Sequence, residues 1–143
     1  MNMSNNTQTA GPNPANSTAV EVYPGWVASG RDGTPGRKAY YINLEAKPGK
    51  GEQVQSFLRD ILAGVEQEPG TGPWFGVRFS DTTFGVFEAF ADTEARNAHN
   101  VGPGGQNFLR AAELEEMLAY PAHVYRLDVM FGKFSVLFGK PIA

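Results

Sequence analysis

Cysteine is absent from the 143 residues, which excludes disulfides, iron–sulfur clusters and thiolate metal sites. Basic charge is in deficit: 12 Lys and Arg stand against 15 Asp and Glu, for a net charge of −3. No basic stripe is available to displace counterions, so a nucleic-acid partner is not expected. Histidine is scarce, with 2 in the chain. Neither sits in a His-x-x-x-His or carboxylate-rich spacing, so no metal site is expected. No apolar run approaches the ~20 residues that cross a bilayer. The first residues also lack the basic-then-apolar layout of a secretory signal. These absences lead to the expectation of a soluble, cytoplasmic protein with no membrane partner.

What remains is enough for one domain, burying roughly two thirds of its unfolded surface. Residues 1–36 are expected to be a flexible leader. Positions 1–17 are polar and rich in Pro, Gly and Asn, with too little apolar surface to offset the entropy of ordering. Within 18–30, however, Val20, Val22, Tyr23, Trp26 and Val27 have the character of an extra strand, or of a wrap over the domain or a partner. Gly30 to Gly36 then reads as a loop back into the core. The domain proper is expected over 37–133, and the apolar tail at 134–143 is expected to pack on a partner subunit.

Within the domain, hydrophobic patterns alternate in the order βαββαβ. Tyr40–Glu45 alternates as a strand. Val54, Phe57, Leu58, Ile61, Leu62 and Val65 then mark one face of an amphipathic helix. A second strand over Trp74–Phe79 and a third over Phe84–Phe90 carry large apolar side chains on both faces. A sheet with one wet face has no need of that. Asp92 can cap a second helix running through His99, and Gly102-Pro103-Gly104-Gly105 breaks it. A glycine cluster before a helix can bind phosphate, but no Lys-Ser/Thr follows and no strand immediately precedes it, so a hinge is the better reading. The last strand is expected from Ala122 to Phe131. The pattern predicts an α+β, ferredoxin-like antiparallel sheet with helices on one face. Self-association and function are expected on the bare face, and a homodimer follows from its apolar residues.

From about Lys38 to Phe131 the chain resembles the antibiotic biosynthesis monooxygenase-like family, whose members form dimeric α/β barrels. Four phrases in order carry the likeness: Leu44-Glu45-Ala46-Lys47-Pro48-Gly49-Lys50, Val65-Glu66-Gln67-Glu68-Pro69-Gly70-Thr71, Phe87-Glu88-Ala89-Phe90-Ala91-Asp92 and Ala98-His99-Asn100-Val101-Gly102-Pro103. The resemblance implies oxidation of a phenolic or quinol-type aromatic small molecule by O₂ with no cofactor. A non-catalytic small-molecule binder of the same fold is the alternative. Haem-degrading relatives are a second alternative, disfavoured because Phe90 and the segment Ala95–Ala98 lack the tryptophans they use.

In this reading His99 matches the family's helix histidine and is the base or hydrogen-bond partner of the substrate. Its ordinary pKa near 6.5 suits proton transfer. Asn43 and Tyr41, projecting opposite Ile42 and Leu44, are expected to hold the oxyanion. Trp74, Phe87 and Phe90 are expected to line an aromatic pocket. Arg78, on the face of Trp74, is expected to clamp an anionic group over the indole, although an exposed salt bridge is its ordinary role. His123, beside Pro121, is expected to be structural.

Overall fold

The computed structural model describes residues 19–133, together with the backbone of 136–137 and 140–141. The leader expected at 1–17 and most of the tail at 134–143 lie outside the described residues. The chain opens with a hairpin, β1 (Glu21–Tyr23) and β2 (Trp26–Gly30). Its turn is Pro24-Gly25, with Pro pre-setting φ and Gly25 at φ 86° supplying the positive angle of a type II turn. The extra strand read near 18–30 is thus a strand pair.

Next come β3 (Lys38–Glu45), α1 (Gly51–Val65), β4 (Thr71–Arg78), β5 (Thr83–Phe90), α2 (Thr93–Val101), a 3₁₀ turn (Gly105–Leu109), α3 (Ala111–Met117) and β6 (Ala122–Asp128). This is the expected βαββαβ order. The sheet runs β1-β2-β6-β3-β5-β4, with the ferredoxin-like set antiparallel and only β2 parallel to its neighbour β6. The last strand stops at Asp128, short of the expected Phe131. Residues 136–137 (β7) and 140–141 (β8) form a separate two-stranded ladder and do not extend it.

One sheet face carries the core. Tyr40, Ile42, Leu44, Phe84, Val86, Phe90 and Val124 pack against Val54, Phe57, Leu58, Ile61 and Val65 of α1 and against Leu114 and Met117. The period of 3.6 in α1 and of 2 in the strands meet there. Leu62, on the edge of the α1 stripe, stays exposed. The opposite face displays Tyr41, Asn43, Phe75, Val77, Phe87, His123, Tyr125 and Leu127, which alternate with the core residues along the same strands. Among the described residues no helix covers it, and Val77, Phe87, Tyr125 and Leu127 are exposed.

The second helical region is capped as expected, with Ala95 N donating to Asp92 Oδ1 at 2.9 Å. The break that follows is a close-packed turn. A Cβ on Gly64 of α1 would stand 2.5 Å from Gly104 N and from Pro103 C. Glycine at 64 is what lets α1 touch the turn.

Candidate functional site

A cavity of about 210 Å³ opens between the core face of the sheet, α2 and the 3₁₀ turn. Trp26, Tyr40, Phe108, Glu88, His99 and Arg126 are among its walls. Register places three of these in one row across the sheet. Tyr40 of β3 stands opposite Arg126 of β6 on one side and Glu88 of β5 on the other. A base, a phenol and an acid therefore line up on the helix-covered face.

His99 lies at the end of α2 and is only 5 % exposed. Its Nδ1 is 2.6 Å from Glu68 Oε1, and its Nε2 is 3.2 Å from Glu88 Oε2. Burial by itself lowers the imidazole pKa, but the hydrogen bonds and negative charges of Glu88 and Glu68 outweigh it, and the net direction is up. An imidazolium donating from both nitrogens fits this geometry. The expectation of His99 as base to a substrate is therefore corrected: both nitrogens are already engaged by carboxylates.

Glu68 is held on every side. Its Oε1 also accepts from Thr71 Oγ1 at 2.8 Å, and its Oε2 accepts from Gly104 N at 2.7 Å. The glycine cluster does bind an anion, and the anion is this side chain. Glu88 differs. It is 1 % exposed, yet its Oε1 has no hydrogen-bond partner among the described residues. An unsatisfied buried carboxylate oxygen is expensive and calls for an explanation. Tyr40 donates to Asn100 Oδ1 at 2.7 Å. Burial pushes its hydroxyl pKa up, against the pull of Arg96 and Asn100, so it stays a neutral phenol.

At the other end of the row, Arg126 makes a forked pair with Glu21 of β1, with Nη1 to Oε2 at 3.0 Å and Nη2 to Oε1 at 2.8 Å. The hairpin wall is aromatic. Tyr23 stacks on Trp26 at 4.3 Å between centroids, and Trp26 meets Phe108 at 5.4 Å.

The seven residues singled out from sequence fall in three places. His99 and Phe90 come together, 5.2 Å between ring centroids, but Phe90 is a core residue behind the imidazole. Asn43, Tyr41 and Phe87 lie on the opposite, uncovered face of the sheet and cannot hold an oxyanion beside His99. The physical reason is the period of 2: side chains beside Ile42 and Val86 project away from them. Asn43 pairs in register with His123, which stacks on Tyr125 at 3.9 Å and reaches Ser29 Oγ at 2.8 Å. Trp74 and Arg78 line a second groove of about 230 Å³ between α1 and β4. There Arg78 donates to Gln55 Oε1 at 3.0 Å and stands over the Phe84 ring, at 5.7 Å, instead of the expected Trp74 indole. The cavity beside His99 lies on the helix-covered face and not on the bare one.

Sequence reasoning missed Glu88, Glu68, Tyr40 and Arg126. For Glu88 the signal was present: it alternates with Phe84, Val86 and Phe90, so an acid sits on an apolar face. Glu68, in the turn after α1, carried no such mark.

Comparison with solved structures bears on this site. A protein of unknown function from Nitrosomonas europaea is 34 % identical over 71 % of this chain and 96 % of its own, with a TM-score of 0.61. A candidate antibiotic biosynthesis monooxygenase from Caulobacter crescentus matches at 23 % identity over 68 % of this chain and 92 % of its own, TM-score 0.57. A single-site variant of SnoaB, a cofactor-independent oxygenase from Streptomyces nogalater, matches at 13 % identity over 67 % and 95 %, TM-score 0.55. The chain shares its fold with antibiotic biosynthesis monooxygenase-like proteins, and it is related in sequence to the Nitrosomonas europaea protein. No family model and no curated protein matches it.

The volume of the cavity bears on what can enter. An engineered apolar cavity of roughly 150 Å³ takes benzene, so about 210 Å³ is of the size that holds one ring with substituents.

Proposed function

We propose that this protein is a cofactor-independent monooxygenase that oxidises a phenolic or quinol-type small molecule with O₂ in the cavity beside His99. The observation that carries the reading is Glu88, a buried acid in the aromatic wall of the cavity whose Oε1 has no partner among the described residues. A phenolic hydroxyl bound there would satisfy it. Glu88 then accepts the phenolic proton as electron density moves from the ring to O₂. One oxygen atom bonds to a ring carbon; loss of water from the resulting hydroperoxide leaves a quinone. One atom of O₂ thus enters the product, the other leaves as water, and the phenol supplies the electrons. His99, fixed by Glu68, positions Glu88 by donating to Oε2.

A non-catalytic binder using the same cavity is the second reading, favoured by the fact that both His99 nitrogens already have partners. Oxygen uptake with a panel of hydroquinones and small phenols separates the two. The oxygenase reading expects turnover that Glu88→Gln lowers by about 10²–10⁴-fold. Full turnover in that variant would remove Glu88 from the chemistry, and no uptake with any phenol would leave the binder.

We also propose a homodimer closed through the uncovered sheet face. Supporting it are the exposed Val77, Phe87, Tyr125 and Leu127, apolar residues set side by side on neighbouring strands.

A further inference from the structure

We infer that the cavity is shaped for a one-ring phenol that also carries a carboxylate, with Arg126 as its anion clamp and Glu21 holding that clamp until substrate arrives. The inference rests on the cavity being the ligand site, as proposed above, and adds the substrate's second functional group. Register sets the scale. Arg126 and Glu88 flank Tyr40 in one row, two strand spacings or ~10 Å apart at the backbone. Tyr40 stands between them in the row, so a ligand that touches both the guanidinium and Glu88 lies across Tyr40. The volume of about 210 Å³ agrees with one ring.

The Arg126 fork is the second observation. Arginine binds carboxylate through two parallel hydrogen bonds, and Glu21 already occupies that geometry. Burial tends to raise the Glu21 carboxyl pKa, but the hydrogen bonds from Arg126 and Tyr23 hold it below its usual range. Glu21 itself sits on a three-residue edge strand whose residues are all exposed and which pairs with β2 alone. An element so lightly attached moves at little cost. A guanidinium only 14 % exposed cannot be left unpaired cheaply, but one carboxylate can replace another without that penalty. Substrate carboxylate in, Glu21 out, is therefore an exchange of like for like.

The test is calorimetric titration of the full chain with 4-hydroxybenzoate and with its neutral counterpart, 4-hydroxybenzyl alcohol. Wild type should prefer the acid only severalfold, the part of a charged hydrogen-bond pair that remains after Glu21 has been displaced. Arg126→Gln should erase that preference. Glu21→Gln, which removes the competitor, should tighten the acid severalfold and leave the alcohol unchanged. A merely structural Glu21–Arg126 bridge would not produce this split. Equal binding of acid and alcohol by wild type, or a Glu21→Gln variant that shifts both ligands alike, overturns the inference. Should Arg126→Gln fail to fold by circular dichroism, the Glu21→Gln pair decides. Because binding is read without turnover, acid preference with no oxygen uptake sinks the oxygenase reading alone. Turnover of neutral phenols without acid preference sinks this inference alone.

Discussion

Glu68→Ala tests the account of His99 most directly. The substitution strips the imidazole of its 2.6 Å partner and leaves Gly104 N and Thr71 Oγ1 without their acceptor. Removing one member of a buried charged pair costs ~3–5 kcal/mol, and the two orphaned donors place this case in that range instead of below it. For a domain of this size each kcal/mol moves Tm by ~3–5 °C, so a fall of ~10–20 °C is expected. The pH dependence fixes the cause. The folded pKa of His99 is raised above its unfolded value of about 6.5. Its stabilisation is therefore complete below about pH 6.5 and is lost as pH climbs through the folded value. The gap between wild type and variant should be widest near pH 6 and should narrow toward pH 9. Thermal unfolding of both proteins across that range supplies the measurement. A loss under ~1 kcal/mol, or a gap that stays constant or widens with pH, would refute the charged pair.

Gly64→Ala should destabilise by ~1–3 kcal/mol in urea, where an exposed helical glycine would gain about 1 kcal/mol, because its Cβ would meet Gly104 and Pro103 at 2.5 Å. Asp92→Ala should cost ~1 kcal/mol by loss of the bond to Ala95 N, measured the same way. Sedimentation equilibrium should give twice the chain mass, and Phe87→Glu on the uncovered face should give the chain mass; a wild-type monomer would end the dimer proposal.

Much of the architecture was legible from periodicity and end signals. The stripe from Val54 to Val65, the two aromatic strands around Ser80-Asp81, the Asp92 cap and the glycine break are local features, and local sterics and hydrogen bonding decide them. Alternation also divided each strand correctly, with Tyr41 and Asn43 opposite Ile42 and Leu44. It could not say which division the helices would cover in β4 and β5, because Phe75, Val77 and Phe87 make the second face apolar too. Only packing chose, and in choosing it sent Asn43, Tyr41 and Phe87 away from His99. The site itself joins residues 40, 68, 88, 99 and 126 through strand register and one helix contact. The chemistry of His99 depends on whether carboxylates stand within hydrogen-bond reach. That distance is set by how α1, α2 and the sheet pack, and no spacing along the chain encodes it.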